Sequence, residues 1–174
     1  PRSTHHPSSA ASDVYKRQAL AKIAGLKLCE AYRKQYDFDT ISLMPTNMYG
    51  ARDNYNPKGS HVMASLIRKF YEAKQKNYDK VTCWGSGKPL REFLFIEDFA
   101  DACFKVLTKW NPNINNSPID DNGNLLNWMN IGSDYEISIK DLAEKIATII
   151  EYKGEIIWDT NLSLIHISEP TRPS

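Results

Sequence analysis

The chain has 174 residues and a formal net charge of +1, too little charge for a nucleic-acid binder. No apolar run approaches the roughly 20 residues needed to cross a bilayer as a helix. Cys29, Cys83 and Cys103 sit at no metal-ligand spacing, and an odd number without a signal peptide reads as reduced thiols in a cytoplasmic protein. Residues 1–18, "PRSTHHPSSAASDVYKRQ", are polar and without periodicity. From Ala19 to about Tyr36 the chain reads as a helix, with Leu20, Ala24, Leu28 and Ala31 at helical spacing and Ile23 beside them. No cap precedes it. "DTISLMP", residues 39–45, is a short buried strand ended by Pro45, and residues 46–60 form a loop rich in Asn, Gly, Asp and Pro. Residues 61–76 form a second helix, with Val62, Leu66, Phe70 and Ala73 on one face.

"KVTCW", residues 80–84, is a strand, "GSGKP" turns the chain, and "REFLFI", residues 91–96, is another strand. A helix follows from Glu97 to about Lys109. Its acidic first turns suit the helix dipole, and Phe99, Cys103, Val106 and Leu107 form its stripe. Residues 111–124 are a polar loop and residues 128–133 a strand. Ser138 with Asp141 forms a capping pair before "DLAEKIATIIEY", and residues 154–160 form a last strand. Helices alternating with short apolar strands predict an α/β fold with parallel strands. No glycine-rich dinucleotide fingerprint opens a helix, and "GSG" at 85–87 lies between strands, where a tight turn is expected.

The two ends have a resemblance of their own. "SSAASDVYKRQ" and "LSLIHISEPTR" look like translated sequencing-adapter ends, so residues 1–18 and 162–174 are set apart from residues 19–161. A natural tail at each end would read the same by composition. Of the four histidines, His5, His6 and His166 leave with the ends, and His61 remains.

Within residues 19–161, "AKIAGLKLCEAY", "MPTNMYG", "SHVMASLIRKF", "WGSGKPLREFL" and "EYKGEIIWD" resemble the extended short-chain dehydrogenase/reductase family. "PTNMYG" suits many of its nucleotide-sugar epimerases and dehydratases. The combination of "KIAG", "SHV", "WGSG" and "REF" is similar to its GDP-sugar epimerase-reductase branch. That resemblance implies a Rossmann-type domain that binds NADPH, a smaller C-terminal part that grips a GDP-sugar, and a homodimer. The implied reaction epimerises two carbons of GDP-4-keto-6-deoxy-D-mannose and reduces the ketone with NADPH to GDP-L-fucose. Residues 19–161 would be the end of the Rossmann part plus the substrate-binding part. A sheet without its N-terminal strands would leave the apolar face of helix 19–36 and the edge of strand 39–45 exposed.

The family carries a Tyr-x-x-x-Lys pair on one helix face. The lysine favours tyrosinate and holds the nicotinamide ribose, and the tyrosine protonates the alkoxide. Lys22 matches the lysine. Gln18 stands where the tyrosine belongs, and Tyr15 lies at the wrong spacing. The glycine-rich loop, the serine that partners the tyrosine and the epimerase cysteine have no counterpart in these residues, and Cys29 is expected to be a core residue. The chain alone is therefore expected to be inactive.

The remaining matches follow the same resemblance. His61, in "SHV", would be an acid or base in epimerisation and lie near the cofactor. Pro45, Thr46, Asn47 and Met48 would line the nicotinamide at a strand end. Trp84 and Arg91 would grip the GDP-sugar, as an aromatic surface and a diphosphate-binding guanidinium. Lys69 occupies a family arginine position, keeping the charge without the fork geometry. Asp159 falls where the family continues into further substrate contacts. Blander readings stay open: Lys22 as a solvated helix lysine, His61 as a helix-capping or loop residue, Pro45–Met48 as an ordinary turn, and Trp84 with Arg91 as a cross-strand hairpin pair. At the level of the chain the alternatives are a non-catalytic GDP-sugar-binding module and a part of another nucleotide-sugar epimerase or dehydratase. No metal site is expected.

Overall fold

The computed structural model describes residues 7–57, 59–111, 117 and 119–161. The expected tails at 1–6 and 162–174 lie outside the described residues. The chain divides into two compact units: one takes the chain up to Pro45 with Phe99–Ile131, the other takes Thr46–Asp98 with the chain from Gly132 onward.

In the first unit, helix α1 runs from Pro7 to Tyr36, twelve residues earlier than the periodicity at Ala19 predicts. The extension has a local cause. Proline at the first position of a helix is preorganised and lacks only an N–H that would be unpaired anyway, and Ala10 and Ala11 follow it. Arg33 ties the last turns of the helix to the segment that leads into the next strand, donating to Asp39 Oδ1 at 2.9 Å and to the Thr40 carbonyl at 3.0 Å. Strand β1, Ser42–Pro45, pairs in parallel with β5, Trp128–Ile131, in the register Ser42↔Trp128 to Pro45↔Ile131.

The predicted apolar stripe of α1 is not covered. Leu20 is 63% exposed and Leu28 58%, and Ala24 and Ala31 are exposed too. Helix α3, Ile96–Lys109, also buries nothing fully: Phe99, Cys103 and Val106 are half-buried, and Leu107, expected in the stripe, faces solvent. All the described buried hydrophobic residues belong to the second unit.

There the core is built by two amphipathic helices on a pair of parallel strands. Helix α2, Val62–Gln75, buries Leu66, Phe70 and Ala73, and α4, Ile139–Ile150, buries Leu142, Ala143, Ile146 and Ala147. Helix α2 packs on β3, Lys80–Trp84, whose Val81 and Cys83 join the same core, and α4 packs on α2. Strand β3 pairs in parallel with β7, Glu155–Asp159. The predicted capping pair starts α4: Ser138 Oγ accepts from Asp141 N at 3.0 Å and donates to Asp141 Oδ2 at 2.6 Å.

A second, three-stranded sheet has the order β2 (Asn47–Tyr49), β4 (Leu90–Phe95), β6 (Glu136–Ser138). Strand β2 is parallel to β4, and β6 is antiparallel to it. Neither β2 nor β6 is legible in the sequence, since three residues are too few to display an alternation. The hairpin reading of residues 80–96 is also corrected. β3 and β4 lie in different sheets, because "GSGKP" binds elsewhere: Gly85 N donates to Asp159 O, Lys140 N to Gly87 O and Ile139 N to Pro89 O. Gly87 is buried at φ +71, and a Cβ there would meet the Lys140 side chain and the Trp158 ring at 3.0 Å. Glycine is required at that position by both conformation and space.

Candidate functional site

In the first unit, Lys22 is exposed on α1, with Gln18, also exposed, one turn before it. The i, i+4 spacing puts the two on one helix face, where the resemblance expects tyrosine and lysine. Pro45 ends β1, at the carboxyl edge of the parallel pair with β5. In sheets of this kind ligands bind outside that edge.

The other candidates lie in the second unit. Thr46 Oγ1 is buried without a hydrogen-bond partner, so a polar group supplied by a ligand would satisfy it. Asn47 and Met48 form the start of β2, opposite Phe93 and Leu94 of β4. Asn47 Nδ2 donates to the Glu92 carbonyl at 3.0 Å. An ordinary Pro-Asn turn is therefore not what these residues make. His61 is the N-cap of α2, extended at φ −65, ψ 162, and its imidazole makes no capping hydrogen bond. Its carbonyl accepts from Ser65 N at 2.8 Å. The helix start uses the backbone of His61, and the ring is exposed to solvent.

Lys69 and Trp84 are brought together. Lys69 Nζ lies 4.6 Å from the centroid of the Trp84 ring and donates to the Thr82 carbonyl at 3.2 Å. The cation rests on the electron-rich ring face. Burial pulls the ammonium's pKa below the usual lysine range, and the neighbouring Arg68 adds to the effect. Beside it, burial pushes the Cys83 thiol up, so Cys83 is a core residue and a poor nucleophile. Trp84 closes β3 directly opposite Asp159 of β7. Arg91, near the start of β4, is exposed, with Nη1 donating to the Leu90 carbonyl at 2.7 Å. A planar guanidinium keeps further donors for an anion.

Two features escape the sequence. One is the Glu92 carboxylate, whose Oε1 accepts from the backbone N–H groups of Ser133 and Asp134. Its only sequence signal is an acidic residue inside the apolar run "REFLFI". The other is a cleft of about 460 Å³ lined by Tyr49, Met63, Ile67, Phe93, Ile137 and other apolar side chains, with Lys145 as its one charged residue. None of the candidate residues lines it, and its walls offer little to a diphosphate. Among the described residues no cluster of His, Cys, Asp or Glu could hold a metal ion, and no helix is long and apolar enough to cross a membrane.

Comparison with known proteins supplies what this geometry lacks. The NAD dependent epimerase/dehydratase family matches residues 5–117. The chain belongs to this family. Its relatives within the family include the GDP-L-fucose synthase 1 of Arabidopsis thaliana, 44% identical over 141 residues, covering 81% of this chain and 40% of that protein. They also include the GDP-L-fucose synthase of Escherichia coli strain K12, 41% identical over 147 residues, covering 82% of this chain and 43% of that protein. Among solved structures, a GDP-mannoheptose C4 reductase from Campylobacter jejuni with NADP bound has a TM-score of 0.62 at 29% identity, covering 80% of this chain and 48% of that one. The chain thus spans about two-fifths of the length of the curated relatives it matches. The α/β fold with parallel strands is the family's fold.

Proposed function

We propose that this chain carries the substrate-gripping part of a GDP-L-fucose synthase, an NADPH-dependent epimerase-reductase acting on GDP-4-keto-6-deoxy-D-mannose. The observation that carries the reading is the run of GDP-L-fucose synthases aligned with four-fifths of the chain. In the complete enzyme we expect a homodimer in the cytoplasm.

Each residue has a task in that reaction. Arg91 and Lys69 neutralise the diphosphate, and Trp84 supports Lys69 while offering its ring to the nucleotide sugar. His61 gives or takes a proton at the carbons beside the ketone, which suits an exposed imidazole with no structural hydrogen bond of its own. Pro45, Thr46, Asn47 and Met48 would line the nicotinamide, and the unpartnered Thr46 Oγ1 fits a polar ligand atom. In a complete enzyme with tyrosine at position 18, Lys22 would hold the nicotinamide ribose and lower that tyrosine's pKa. NADPH, when bound, supplies the hydride. Position 18 carries Gln, whose amide cannot protonate an alkoxide at neutral pH, and no dinucleotide loop is present. The 174-residue chain therefore binds and does not turn over.

Titration calorimetry of the chain with GDP tests the reading. GDP binds more tightly than UDP, and Arg91→Ala weakens GDP by about tenfold or more, as expected for loss of a charge-assisted bidentate contact. Equal binding of GDP and UDP, or an Arg91→Ala chain that binds GDP unchanged, contradicts it.

A further inference from the structure

Strand β4 carries Arg91, and both of its neighbours are entered immediately beside Glu92. On one side β2 begins at Asn47, whose side chain donates to the Glu92 carbonyl. On the other side β6 is entered through the Gly132–Tyr135 turn, where the Glu92 carboxylate accepts from Ser133 N and, at 3.1 Å, from Asp134 N. Asp134 sits at φ 57, a left-handed conformation that a non-glycine residue holds only when its surroundings fix it. Gly132 packs against the same carboxylate so closely that an added Cβ would collide with it. Arg91 and Glu92 project to opposite faces of β4 because side chains alternate along a strand. The glutamate's charge is engaged by backbone amides, and the arginine's is left for an anion.

We propose that Glu92 is a positioning residue for the diphosphate-binding Arg91. Its carboxylate pins the turn at the entrance of β6 and so sets that strand's register on β4, while β2 is tied to the Glu92 main-chain carbonyl, which every variant keeps. In the present register Arg91 opposes Ile137 and Glu92 opposes Glu136. A one-residue slip of β6 would turn Ile137 to the other face and leave a different side chain opposite Arg91. Three-residue strands have few ladder bonds with which to resist such a slip, and two like charges face each other at Glu92 and Glu136. The carboxylate-to-turn bonds supply the missing constraint. The role of Arg91 rests on the reading above; the pinning of the turn does not.

Both amides bond to the same oxygen, Oε1, and this makes the proposal specific. Glu92→Gln keeps a carbonyl oxygen at the same reach. Glu92→Asp is one methylene short, and Glu92→Ala removes the acceptor. The experiment measures amide hydrogen exchange at Ser133 and Asp134 by NMR in the full 174-residue chain, and GDP affinity by calorimetry in the same samples. In Glu92→Ala and Glu92→Asp, exchange at both amides rises by about tenfold and GDP affinity falls by about as much. Glu92→Gln stays within about threefold of the unmodified chain in both, and amides of the α2–α4 core are unchanged in all three. An Arg91→Ala chain loses GDP while Ser133 and Asp134 remain protected. Unchanged exchange in Glu92→Ala overturns the pinning, and normal GDP affinity with lost protection overturns the positioning of Arg91. If the unmodified chain binds no GDP, the substrate reading fails and the exchange data alone decide the pinning.

Discussion

In an enzyme completed upstream, with tyrosine at position 18 and the dinucleotide half in place, His61→Ala lowers solvent-deuterium incorporation at the epimerised carbons by about 10²–10⁴-fold, the usual worth of a positioned general acid or base. The imidazole is exposed at the start of α2 and makes no hydrogen bond to the helix it precedes. Its removal therefore leaves the fold intact: the cap bond to Ser65 N comes from the backbone carbonyl, which alanine keeps. The same enzyme carrying Lys22→Ala shows the complementary defect. Exchange persists while hydride transfer, followed by NADPH absorbance, falls, because the tyrosine loses the charge that holds its pKa down. Normal deuterium incorporation in the His61→Ala enzyme would remove the role assigned to that residue.

Phe70→Ala has the largest expected effect on stability. Phe70 is completely buried and lies on the face of α2 between Leu66 and Ala73, with the Tyr152 ring centroid 5.6 Å away. Truncating a buried phenylalanine removes its transfer free energy and leaves a cavity, a loss of about 3–5 kcal/mol. Urea unfolding of the full chain measures it. Tyr71→Ala, at the exposed neighbouring position, should change stability by less than about 0.5 kcal/mol. A Phe70→Ala loss below about 1 kcal/mol would mean that the α2–α4 core is not packed as described.

The sequence showed most clearly the elements whose burial is one-sided and long. Helix α2 and strand β3 lie within a residue of their predicted bounds because their apolar positions recur over many residues and point into one core. The start of α1 was misplaced because an amphipathic period marks a buried face, and residues 7–18 continue the helix without that pattern. The apparent hairpin at 80–96 failed for a related reason. Gly85 and Gly87 look like turn residues, and their choice of partners, Asp159 and Lys140, depends on chain far away in sequence. For the site, residue identity was legible through the motifs, whereas contact was not. That Lys69 rests on Trp84 is set by the way α2 folds back on β3, with Lys69 beside Thr82, which no local pattern encodes. The Glu92 bonds to Ser133 and Asp134 join residues about forty positions apart and have no local signature.

The most direct test of the central claim is turnover. The complete enzyme, containing residues 19–161 after a restored upstream half, is incubated with NADPH and GDP-4-keto-6-deoxy-D-mannose, and beside it with a GDP-4-keto-heptose of the kind that a GDP-mannoheptose reductase would take. The account predicts stoichiometric NADPH oxidation and GDP-L-fucose from the first substrate, little from the second, and none from the 174-residue chain with either. Turnover by the 174-residue chain, or a complete enzyme that reduces only the heptose, would contradict it.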